Sequence, residues 1–132
     1  MKLKYAILYV EDVARSLDFY QRAFDFDIKF LHEGGDYGEL DTGLTTLSFS
    51  SLALMSDLGK SVAPANPRSP TFEIALETLN VENAVAQAIR AGATLVQNAR
   101  EESWGQTTAY VSDLDGFLIE ICSPVVRLAE EV

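Results

Sequence analysis

The sequence predicts an α+β fold made of two tandem β-α-β-β-β modules. Three observations carry that prediction. The chain has 132 residues, 48% of them hydrophobic, enough for a real core in one compact globular domain. One order of apolar patterns (strand, helix, three strands) is legible twice along it. Between the two copies, residues 52–70 lose periodicity and collect Gly59, Ser61, Pro64, Pro67 and Pro70, the composition of a linker. The resulting division is a first module over 1–51, a linker over 52–70, a second module over 71–124 and a tail over 125–132.

The elements follow in order. Residues 3–10 (LKYAILYV) are rich in β-branched and aromatic types and read as a buried strand. Asp12 then caps a helix in which Val13, Leu17, Tyr20 and Phe24 recur at near-helical spacing. Residues 26–31 form a second strand and Gly34-Gly35 a turn. Residues 37–41 and 44–51 are the third and fourth strands. In the linker, Ser56-Asp57-Leu58 makes a short helical turn at most.

The pattern restarts at 71–77. Asn80 is a second cap, Val81, Ala84, Val85, Ala88 and Ile89 form an apolar stripe, and Gly92 stands where a helix ends. Residues 94–97 are a strand and 98–105 a polar loop. Residues 106–112 and 117–122 close the module as a hairpin around Asp115-Gly116, a pair suited to two turn positions with positive φ. Asp113 and Asp115 read as turn formers. Residues 127–132 are a surface tail or short helix. Aligning Asp12-Val13 with Asn80-Val81 registers the first strand and helix of both copies without gaps: Leu8 meets Leu76, and Leu17 meets Val85.

Charge narrows the function. The formal net charge is -10, with only 10 Lys and Arg, which argues against nucleic acid and anionic membrane partners. A single cysteine, Cys122, allows no disulfide within the chain and fits a reducing cytoplasm. No stretch approaches the length of a membrane span. Phosphate loops, paired-cysteine motifs and nucleophile elbows are all missing from the sequence.

Glu120 is the most informative residue. It is an isolated acid in the apolar run FLIEIC over 117–122, and an unpaired buried carboxylate is costly, so its face is wet or it has a partner. In this strand Phe117, Ile119 and Ile121 alternate with Leu118, Glu120 and Cys122.

Three segments resemble the vicinal oxygen chelate superfamily of glyoxalases, bleomycin-resistance proteins and extradiol dioxygenases. They are LYVEDVARSLDFYQRAFDFDIKF, FEIALETLNVENAVAQAIRAGATLV and WGQTTAYVSDLDGFLIEICSPV. The resemblance implies a curved mixed sheet around a cavity with helices outside, and a homodimer. It also implies that the Glu120 face lines the cavity. In metal-using members four inward residues, His or Gln and Glu, hold a divalent ion. Carried onto this chain, the last-strand glutamate is Glu120 and the second first-strand histidine is Glu73. The first first-strand histidine is Tyr5, and the first last-strand acid is Ser48 if parity is kept or Leu47 if the turn length differs. Two of the four positions are thereby lost, so the expectation is no native metal or other cofactor. If a divalent metal does bind, Glu73 and Glu120 are its ligands.

The expected ligand-binding residues are thus Tyr5, Glu73, Trp104 and Glu120, and no catalytic residue is assigned. Trp104 offers an aromatic wall for a flat or cationic ligand, or else anchors its loop. Glu120 or Glu73 could instead be held by Tyr5 or Gln106 at the cavity floor. A nearby carboxylate raises the pKa of the Cys122 thiol and argues against a nucleophile. His32, the only histidine, reads as an exposed residue at a strand end. The first functional reading is a small-molecule binder with an acidic cavity for a cationic or aromatic ligand. The alternative is a metal-dependent lyase or dioxygenase using Glu73 and Glu120, and a third is an isomerase with one glutamate as base.

Overall fold

The structure, a computed structural model, describes residues 1–125, so the expected tail lies almost wholly outside the described residues. The fold is α+β, and the described residues form eight strands in two four-stranded mixed sheets. The chain divides into two compact units, Met1–Asn66 and Pro67–Val132.

In the N-terminal unit the order is β1 (Tyr5–Val10), α1 (Val13–Phe24), β2 (Ile28–Leu31), β3 (Tyr37–Leu40), β4 (Thr46–Ser51) and α2 (Leu52–Asp57). The sheet runs β1-β4-β3-β2, with β1 parallel to β4 and the other pairs antiparallel. Asp12 starts α1 by accepting the Arg15 N–H, as its short acidic side chain predicts. The helix buries Val13, Leu17, Phe19, Tyr20 and Ala23. It ends at Asp25, which takes the left-handed conformation (φ 62°) and donates its N–H to the Gln21 carbonyl. Leu8, Leu40 and Phe49 form the facing core, and the Tyr20 and Phe49 rings lie 5.1 Å apart. Helix α1 packs so close to β3 that a β-carbon on Gly38 would stand 2.5 Å from Leu17 Cδ1.

Helix α2 corrects the sequence reading. Ser51 caps it by accepting the Leu54 N–H, and Met55 buries against the unit, so six residues at the start of the expected linker are helical. A helix this short has too few positions to display a period, which is why no stripe was visible.

In the C-terminal unit the order is β5 (Glu73–Glu77), α3 (Val81–Ala91), β6 (Thr94–Glu101), β7 (Thr107–Ser112) and β8 (Leu118–Cys122). The sheet order β5-β8-β7-β6 repeats that of the first unit, again with the outer first strand parallel to its neighbour. Asn80 caps α3 by accepting the Asn83 N–H, and Gly92 (φ 120°) ends it. Ala109, Val111, Ile119 and Ile121 are fully buried on one side of the sheet, with Val81 and Ala88 of α3. Strand β6 runs four residues beyond its expected end. Its polar half pairs with β7 as far as Glu101↔Thr107, with register shifts on both sides of Gln97. As the outer strand it keeps one edge open to solvent, so polar residues cost it little.

The closing hairpin forms, but not with the expected turn. Among the described residues Asp25 is the only non-glycine with positive φ, so Asp115 does not share that conformation with Gly116 (φ 96°). Asp113 builds the loop instead: its carboxylate accepts the N–H groups of Asp115 and Phe117 at 3.0 and 2.8 Å, and its carbonyl accepts the Gly116 N–H.

Candidate functional site

The face of the C-terminal sheet opposite its buried core collects the acidic residues. Strand pairing fixes which side chains share it. Glu73 pairs with Leu118, Ala75 with Glu120 and Glu77 with Cys122, while Tyr110 pairs with Glu120 and Gln97 with Tyr110. Paired residues point to the same side of a sheet. A row Gln97–Tyr110–Glu120–Ala75 therefore crosses all four strands, with Glu73 and Glu77 one step to either side of Ala75.

Glu120 has a partner within its own unit, and it is Tyr110 rather than Gln106. The Tyr110 phenol donates to Glu120 Oε2 at 2.7 Å. This bond, burial and the charges of Glu120 and Glu73 raise the Tyr110 pKa far above its ordinary 10.0. The phenol therefore stays protonated near neutrality and keeps Glu120 an acceptor. Glu73 itself is exposed and lies close enough to act on Tyr110. Burial, followed by the Glu120 and Glu77 carboxylates, pushes the Cys122 thiol upward, as expected from its neighbour. The Gln97 amide nitrogen is buried without a hydrogen-bond partner among the described residues. Such an orphan donor favours an acceptor brought in from outside.

Trp104 lies at the end of this sheet, in the β6–β7 loop, and is 58% exposed. Its indole N–H donates to Gln106 Oε1 at 2.8 Å, and Gln106 Nε2 donates to the Ser123 carbonyl at 2.9 Å. The pair ties the loop to the end of β8. Tyr5 belongs to the N-terminal sheet, on the side it shares with Thr46, Ser48 and Ser50, and Lys4 Nζ stands 5.7 Å from its ring centre. Parity is thus kept: Ser48, not Leu47, shares the Tyr5 face. His32 is exposed, and its Nδ1 accepts the Gly34 N–H.

The superfamily's divalent ion does not fit this donor set. Tyr5 and Ser48 supply a phenol and a hydroxyl where imidazole and carboxylate are wanted, leaving Glu73 and Glu120. Among the described residues no three His, Cys, Asp or Glu side chains stand together as a metal group.

Gln97 and Glu77 escaped the sequence reading, which counted Tyr110 as aromatic surface with a polar tip but could not orient it. Their signal is strand register, since each is recognised only through the residue it sits beside. No helix among the described residues is long and apolar enough to cross a membrane.

Comparison with known proteins supports this architecture. A protein of Mycobacterium bovis described only as uncharacterized is 28% identical over 123 residues, covering 89% of this chain and 80% of its own length. A glyoxalase-related enzyme from Fulvimarina pelagi superposes with a TM-score of 0.80 at 21% identity, covering 94% of this chain and 88% of the other. A glyoxalase/bleomycin resistance protein/dioxygenase family enzyme from Burkholderia phytofirmans gives 0.80 at 21% identity, covering 96% and 100%. At those identities the two structures share the fold alone. The profile of the Glyoxalase-like domain matches residues 3–126, and the chain belongs to that family, within the vicinal oxygen chelate superfamily.

Proposed function

We propose that this protein binds a small molecule without a native metal, on the acidic face of its C-terminal unit. The ligand carries a cationic or strongly hydrogen-bond-donating group next to a flat apolar or aromatic part. The observation behind this reading is the 2.7 Å bond from Tyr110 to Glu120. It fixes a carboxylate as an acceptor in a partly buried place, where a charge-assisted hydrogen bond is strong. Glu73 adds a second negative charge, Gln97 offers a donor to an acceptor on the ligand, and Trp104 supplies exposed aromatic surface at the end of the sheet. The same groups disfavour nucleophilic catalysis by this face: burial and the neighbouring carboxylates raise the Cys122 thiol, and the Tyr110 phenol stays protonated as a donor to Glu120.

Calorimetric titration of the full chain with small aromatic cations and their neutral isosteres tests the proposal. Binding of the cations should fall by about tenfold or more in Glu120→Gln and in Glu73→Gln. Full affinity in the double variant would rule out the electrostatic role. Elemental analysis of protein purified without chelator is the companion test. A stoichiometric Fe, Mn, Ni or Zn signal would favour the metal-dependent lyase or dioxygenase alternative. We further place the protein in the cytoplasm as a homodimer, on the strength of its single cysteine and the habit of its superfamily. Light scattering on the purified chain tests the assembly.

A further inference from the structure

The N-terminal unit carries a second phenol–carboxylate pair. Tyr37 donates its phenol proton to Glu39 Oε2 at 2.8 Å. Strand pairing sets Phe30 beside Glu39, Glu39 beside Ser48 and Ser48 beside Ile7, so a row Phe30–Glu39–Ser48–Ile7 crosses this sheet. The row has the same strand order as Gln97–Tyr110–Glu120–Ala75 in the other unit, but its acid has moved one strand over. Where the C-terminal unit has Glu120 on its last strand, this unit has Ser48 on its last strand and Glu39 on the next.

Three features make the place suited to a ligand. First, Ser48 is 0% exposed and, among the described residues, its hydroxyl has no hydrogen-bond partner in good geometry; its polar neighbour is the Tyr37 phenol, whose pKa, raised by burial, it lowers in part. A buried hydroxyl without a partner is unfavourable and favours an incoming group. Second, Tyr37 engages only one oxygen of Glu39, so Oε1 remains for another donor. Third, the Phe30 ring, 46% exposed, lies 6.4 Å from the Tyr37 ring at an interplanar angle of 52°, which gives an aromatic surface beside the carboxylate.

We propose that Glu39 and Ser48, flanked by the rings of Tyr37 and Phe30, form a binding site for a primary ammonium group carried on an apolar or aromatic body. A primary ammonium has three N–H donors. One meets Glu39 Oε1 and one meets Ser48 Oγ, while the ring faces attract the charge. A quaternary ammonium has no N–H and would leave Ser48 unpartnered. The site is made of N-terminal residues only, so it stands or falls apart from the Glu120 reading.

The test uses benzylamine as probe on the full chain labelled with nitrogen-15. Benzylammonium should shift the amides of residues 37–39 and 46–50 saturably, and benzyl alcohol should not. Glu39→Gln should weaken that binding by about tenfold. Ser48→Ala provides a second variant that keeps the carboxylate: it should melt at least as high as the parent protein and still bind benzylammonium several-fold more weakly. Shifts confined to residues 110 and 118–122 would overturn this site while leaving the Glu120 reading intact. Unchanged affinity in both variants, equal binding of benzyl alcohol, or no shift at all would also overturn it.

Discussion

Glu120 holds the proton of Tyr110 in place, so the acidity of this tyrosine reports chiefly on that carboxylate. Tyr110 should ionise late in a spectrophotometric titration, and so should Tyr37, raised chiefly by burial and by Glu39. Glu120→Gln should bring the Tyr110 transition down toward 10. The consequence for stability has a definite sign. The folded-state pKa of Tyr110 lies above its unfolded value of 10.0, so its contribution is complete below about pH 10 and is lost as pH rises beyond it. Chemical denaturation of Tyr110→Phe at pH 7 should show a loss of about 1.5–2 kcal/mol, the lower part of the range for a hydrogen bond to a charged group. In Tyr110→Phe the alkaline decline should be much weaker. Glu120 was legible in the sequence because an acid inside FLIEIC is conspicuous. Tyr110 was not, because its orientation depends on which residue of β8 it faces, and register is set by tertiary pairing. Glu39 was less visible still: in YGEL, beside turn residues, an acid looks like ordinary surface.

At the scale of elements, the caps were readable, and so were the Gly34-Gly35 turn and Asp113 as a turn former, whereas the backbone conformation at Asp115-Gly116 was not. Asp12 and Asn80 mark the helix starts by their chemistry alone, and both helices begin where those residues stand. The 112–118 turn depends on a side chain, Asp113, that reaches two backbone N–H groups. Asp113→Ala should therefore destabilise the chain by about 1–2 kcal/mol, measured by thermal or urea unfolding, because it leaves two partly buried donors without their acceptor. Asp113→Asn, which keeps an acceptor, should recover most of that loss. Gly116→Ala should also destabilise: its φ of 96° is strained for a side chain, and the added carbon would meet Pro67 Cδ at 2.9 Å. Beneath α1, Gly38→Ala should cost about 1–3 kcal/mol by overpacking against Leu17. The length of β6 and the existence of α2 eluded the sequence for a common reason. Each depends on what packs or pairs beside it, and neither has a period of its own.

For the whole molecule, the order of elements is what the sequence displayed best. Two units with the same strand order were anticipated from two apolar patterns of low identity, because burial imposes the pattern while tolerating exchange among apolar residues. The chemistry did not repeat in the same way, since an acid placed on a neighbouring strand satisfies the same face. The net charge of -10 gives a global prediction. Association of a cationic ligand should be faster at low salt and slow as ionic strength approaches about 0.15 M, where charges beyond about 8 Å are screened. Stopped-flow association rates measured over a salt series would show this, whereas a neutral isostere should give a flat series. The bond from Tyr110 to Glu120 bears on the opposite kinetic step. A free glutamate surrenders rotamer freedom when a ligand fixes it, at roughly 0.5–1.5 kcal/mol for such a side chain. Here the phenol has already narrowed those rotamers during folding. The acceptor waits in its bound pose, and the complex should gain residence time rather than speed of arrival.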